Sequence, residues 1–224
     1  LYALALAAFQ ALGGVRTDEA KYLLNIPYPH PPLVRWLISQ TEWLPFQEAF
    51  WRVIFATLLV QAVWIIWDMS RTLPRQERLI LGGGWLLSSG LVLQAGSILM
   101  APLTALQALL FLWLSVRRSA VERFPHLVAL LWLVALFTAY QALLFLPIVV
   151  FLFSTTHLSR ARRFVYVLVP VALLGLYSLA HPLSLASMVI HGSRDLTSSV
   201  WERGAETLRL RAIGGSVFVS ALGT

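Results

Sequence analysis

Apolar residues gather into seven runs along the chain, at 1–15, 49–67, 79–97, 102–116, 127–153, 164–180 and 212–224. The runs lack the strict period-two alternation of a membrane barrel. A backbone in lipid must pair its own N–H and C=O groups within the segment, so the runs predict helices. The expected fold is all-α, a polytopic transmembrane helical bundle making up one domain over residues 1–224.

The polar stretches sort by charge. Arg71, Arg75 and Arg78 follow the second run, Arg117, Arg118 and Arg123 follow the fourth, and Arg160, Arg162 and Arg163 precede the sixth. Short arginine-rich loops face the cytoplasm, which puts the long loops 16–48 and 181–211 on the external side. The run 127–153 has arginines before and after it, so it must cross twice or not at all. As one helix it would measure about 40 Å, too long for one comfortable crossing. Two short, partly re-entrant helices turning near Thr138-Ala139-Tyr140-Gln141 satisfy the charge pattern.

The first long loop has structure of its own. Pro31-Pro32 suits a first helical turn, where an N–H has no partner anyway. Leu33, Trp36, Leu37 and Leu44 then recur near helical spacing, opposite Arg35, Gln40 and Glu42, which predicts a short amphipathic helix on the membrane surface. Pro45 ends it. Trp36, Trp43 and Trp51 suit an interfacial aromatic belt. A weaker counterpart lies at 198–211, with Trp201, Ala205 and Leu208 on one face.

Composition supports the membrane setting: 58% of residues are hydrophobic, 12% are charged, and mean hydropathy is +0.76. Soluble domains carry about 25% charged residues. The net charge of +7 is accounted for by the arginine loops, and no basic soluble domain offers a nucleic-acid surface. With no cysteine, disulfides and thiolate metal sites are excluded. The short first run and the absence of an initiating Met lead us to expect the N-terminal portion of a longer protein.

Candidate chemistry concentrates after the first run. Asp18 and Glu19 form a paired carboxylate at the mouth of the bundle, where a half-buried acid can be tuned into a base. His30 sits among prolines on a stiff backbone. Arg35, Arg52, His191 and Arg194 are external cations able to hold a phosphate through charge-assisted hydrogen bonds. Each also has a plainer reading, as a solvated loop charge or a lipid-headgroup contact. Gly82-Gly83-Gly84 lacks the Lys-Ser/Thr continuation of a phosphate loop, and close helix packing explains it better.

Asp18-Glu19-Ala20-Lys21-Tyr22, then Tyr28-Pro29-His30-Pro31-Pro32-Leu33-Val34, then Leu44-Pro45-Phe46-Gln47-Glu48-Ala49-Phe50-Trp51-Arg52 resemble the first external loop and second-helix start of GT-C superfamily glycosyltransferases. The likeness is to the protein-mannosyltransferase-like group, glycosyltransferase family 39, and its bacterial relatives. Pro29 stands where that family commonly has Asp. The likeness thins through Met100-Ala101-Pro102-Leu103, which lacks an acid, and Thr138-Ala139-Tyr140-Gln141, where Ala139 replaces a Lys. The resemblance implies a cell-envelope hexosyl- or pentosyltransferase in a bacterial or archaeal plasma membrane. It would move a sugar from a polyprenyl-phosphate-linked donor to an acceptor on the external face, with inversion. Asp18 would then be the general base or acceptor-orienting group and Glu19 a secondary acid. His30, Arg35, Arg52, His191 and Arg194 would line the phosphate end. The implied partners are the polyprenyl-phosphate sugar donor and membrane lipid; a divalent metal is compatible but not required. The residues themselves leave open a non-catalytic membrane scaffold or transporter component.

Overall fold

The computed structural model describes residues 1–26 and 30–181. Every regular element among them is helical. In chain order these are α1 (Tyr2–Leu12), α2 (Thr17–Leu23), α3 (Leu33–Ser39), α4 (Gln47–Gln61), α5 (Val63–Met69), α6 (Arg75–Leu86), α7 (Ser89–Gln94), α8 (Ala101–Val116), α9 (Arg118–Arg123) and α10 (Pro125–Thr138). A 3₁₀ segment (Tyr140–Phe145), α11 (Leu146–Ser154) and α12 (Arg160–Ala180) follow.

Two helices are long and apolar enough to cross a membrane: α4 continued into α5, Gln47–Met69, and α12. The join is smooth because Ala62 stays in the right-handed helical region, at φ −57°. The run 79–97 forms no single helix. It splits into α6 and α7, because Ser88 turns extended and its Oγ accepts the Leu91 N–H, a cap that starts a new helix. Of the three consecutive glycines, only Gly82 fits the close-packing reading. A Cβ there would lie 3.3 Å from Val63 Cγ2, whereas nothing approaches Gly83 or Gly84.

The run 127–153 breaks at Ala139, which is extended at φ −154°. Thr138 prepares the break by turning its hydroxyl back to the Val134 carbonyl. The chain then reverses. Phe151 of α11 returns beneath Arg118, and His157 lies 3.6 Å from Glu122, beside the start of α10. The paired helices and α12 enclose a core built on Trp132, Phe111 and Phe153, with Trp132 Nε1 donating to the Val167 carbonyl at 3.0 Å.

The reversal gathers the three arginine loops at one end of the bundle. Asp68 meets Arg71 and Arg117, Arg78 bonds the Trp67 carbonyl, and Arg163 bonds the carbonyls of Ser154 and Thr156. At the opposite end α2 and α3 fold over the starts of α4 and α8, burying Tyr22, Val34, Ile38, Phe55 and Ile98. The inward face of α3 is therefore Val34 and Ile38, one helical turn apart, rather than the face through Trp36. Trp36 and Trp43 are exposed, but Trp51 of the expected aromatic belt is buried and donates to Thr41 Oγ1 at 2.7 Å.

Candidate functional site

The turn between α1 and α2 rests on Gly14, at φ +69°, a conformation that favours glycine. It delivers Asp18 and Glu19 to the first turn of α2, where negative charge suits the helix dipole. Neighbours on a helix point about 100° apart, and here one turns inward and the other outward.

Glu19 is 1% exposed and all its acceptor positions are filled. Oε1 accepts from Arg52 Nη1 at 3.0 Å and from the Ile98 N–H at 2.9 Å. Oε2 accepts from Arg52 Nη2 at 3.0 Å and from the Arg16 N–H at 2.9 Å. Burial pushes this carboxyl up, but the Arg52 guanidinium and the two backbone N–H groups outweigh it and hold it below the usual carboxylate range. A base so fully hydrogen-bonded and held as the anion is a poor proton acceptor. The expected secondary acid is a structural anchor here.

Arg52 is saturated in the same way. Beyond the fork to Glu19, its Nε donates to Glu48 at 2.8 Å, Nη1 to the Gly96 carbonyl at 2.9 Å and Nη2 to the Gly14 carbonyl at 3.1 Å. A guanidinium has five N–H donors, so in this arrangement Arg52 has none to spare for a phosphate. The pair ties together the Gly14 turn, α2, α4 and the turn at 96–98. Gly96 allows the approach of α1: a Cβ there would lie 3.1 Å from Ala7 Cα. The signal for this in the sequence is the spacing of three. Glu19 shares its face with the buried Tyr22, and Asp18 shares its face with Lys21.

Asp18 has a side chain 56% exposed and meets Lys21 Nζ at 2.9 Å. Lys21 in turn lines a small cleft with Tyr22, Ile26, His30, Pro31 and Arg35. The cleft holds about 10 Å³, room for a single water molecule. Arg35 is steadied by a 3.1 Å bond to the Ile26 carbonyl. Of the expected site residues, His30 and Arg35 are thus brought together, and Asp18 connects to them through Lys21. His191 and Arg194 lie outside the described residues, as do the second long loop beyond His181 and Tyr28-Pro29 of the proline motif. Among the described residues no three His, Asp or Glu side chains converge on a metal position.

A second ionic cluster occupies the arginine end. Asp68 is 22% exposed in its side chain, and its Oδ2 accepts from Trp113 Nε1 at 2.8 Å and Arg117 Nε at 3.0 Å while Oδ1 meets Arg71. The sequence marks Arg71 and Arg117 as loop charges; the acid that joins them, Asp68, comes immediately after the run 49–67. Comparison with family models, with curated proteins and with solved structures finds no match to this chain.

Proposed function

We propose that the chain is part of a multi-pass membrane glycosyltransferase, moving a sugar from a polyprenyl-phosphate donor to a hydroxyl acceptor on the external face. The supporting observation is the division of labour between adjacent carboxylates. Glu19 and Arg52 fix α2 to the bundle, and Asp18 stands on that braced helix, exposed at the end opposite the arginine loops. In the reaction, Asp18 takes the proton of the acceptor hydroxyl as its oxygen attacks the anomeric carbon. The bond to the phosphate oxygen breaks, and the polyprenyl phosphate leaves from the opposite face, inverting that centre. In this reading His30 and Arg35 receive the leaving phosphate's charge. No step runs through a metal. In this reading α4–α5 and α12 cross the bilayer, the α10–α11 pair enters and returns, and the arginine end is cytoplasmic.

The test is transfer in membranes carrying the whole protein, with a labelled polyprenyl-phosphate sugar. Asp18→Asn should lose transfer at unchanged protein level and unchanged melting temperature; full activity in that variant would sink the assignment. The small size of the His30–Arg35 cleft favours a second reading, a membrane scaffold. A photoreactive polyprenyl phosphate that fails to label the protein would decide for the scaffold.

A further inference from the structure

At the arginine end a groove of about 340 Å³ lies between α11 and α12. Val150 and Phe153 of α11 form one wall, and Phe164, Val167 and Leu168 of α12 form the other. Arg160 and Arg163 stand at its mouth, where α12 begins. Their placement is electrostatically costly. Three arginines occupy the first four positions of α12 with no acid in that turn. That is the positive end of the helix dipole, where cations are disfavoured. Arg163 spends its guanidinium on the carbonyls of Leu158, Ser154 and Thr156, which close the end of α11. Arg160 has no such employment: its side chain makes no ion pair or hydrogen bond with the described residues, and it is exposed. An apolar trough ending at an unoffset cation on a helix N-terminus matches one kind of molecule in charge and polarity.

We propose that this groove binds an anionic phospholipid, one acyl chain lying along Val150, Phe164 and Leu168 and the phosphate at Arg160. The inference needs α12 to lie in a bilayer and is independent of any transfer chemistry. The full chain, purified in detergent, would be given equimolar phosphatidylglycerol and phosphatidylcholine and examined by native mass spectrometry. Phosphatidylglycerol should remain bound at collision energies that strip phosphatidylcholine. Arg160→Glu removes one attractive charge and adds a repulsive one, so its affinity for phosphatidylglycerol should fall about 30-fold. The same change places an acid in the first turn of α12, so lipid-free stability should hold or rise. A residue with a merely structural role would move both quantities downward together. Val150→Trp, which fills the groove and leaves the arginines alone, should also abolish retention. Arg75→Gln, at another loop of the same end, should not. Equal retention of the two lipids by the unaltered protein would overturn the proposal. So would undiminished retention in Arg160→Glu or in Val150→Trp, or an equal loss in Arg75→Gln.

Discussion

The two ends of the bundle each hold a carboxylate paired with arginine, and they treat it differently. At one end Glu19 and Arg52 are 1% exposed, and every donor of the arginine and every acceptor position of the acid is filled. At the other, Asp68 bridges α5 and α8 through Arg117 and Trp113 but remains in reach of water, and Arg71 is 62% exposed. Taking two charges out of water costs several kcal/mol per ion, repaid only by near-complete hydrogen bonding. The saturated geometry around Glu19 is therefore a condition of its burial. The cluster at Asp68 bears no such condition and can tolerate losing a partner. The charge sets differ, two acids around one arginine against one acid between two arginines, but it is desolvation that sets the condition.

The sharpest way to break the comparison is Arg52→Ala. It leaves Glu19 buried and unpaired and should cost about 3–5 kcal/mol, read as a large fall in melting temperature in detergent. Arg71→Gln should cost under about 1 kcal/mol by the same measurement. Equal losses would show that the two clusters do not differ. Next in size is Gly96→Ala, whose new methyl must displace α1 at Ala7 and Gln10, at about 1–3 kcal/mol; an unchanged melting temperature would mean that α1 is not held against this turn. Acid titration sharpens the contrast further. Because the folded-state value of Glu19 is depressed, the pair's contribution is complete above the ordinary carboxylate value of about 4.3 and declines as the pH falls below it. Glu19→Gln should be less stable at neutral pH, with a flatter dependence below pH ~4; an unflattened curve would place the titrating group elsewhere. The smallest expected change is in Asp18→Asn. Its exposed pair with Lys21 contributes under about 1 kcal/mol, so a large stability loss there would erase the distinction between the adjacent acids.

Much of the scaffold is legible in the residue pattern. The run 49–67 becomes α4–α5, 102–116 becomes α8, 164–180 lies within α12, and 127–153 reverses at Thr138–Ala139. These follow from long apolar stretches bounded by arginines, a signal that owes little to tertiary contacts. The break at Ser88 was hidden because its cap is a local competition inside an apolar run. The roles of Asp18 and Glu19 were hidden for another reason. Residue type marks both as acids; the spacing of three ties Glu19 to Tyr22, and the burial of Tyr22 in the cluster with Val34, Ile38 and Ile98 fixes that face inward. The same packing explains why Arg52, on the page a free external cation, is fully occupied.

The order of the knot along the chain bears on how the protein is made. Glu19 precedes Arg52, and the Gly96 carbonyl and Ile98 amide that complete the cage come last. During synthesis the acid is thus already outside the ribosome when the helix carrying the arginine is delivered. An arginine entering lipid alone is expensive; in the proposed membrane setting, this one has a counter-ion made first. The hydrogen bonds that complete the cage then require the chain to extend to residue 98.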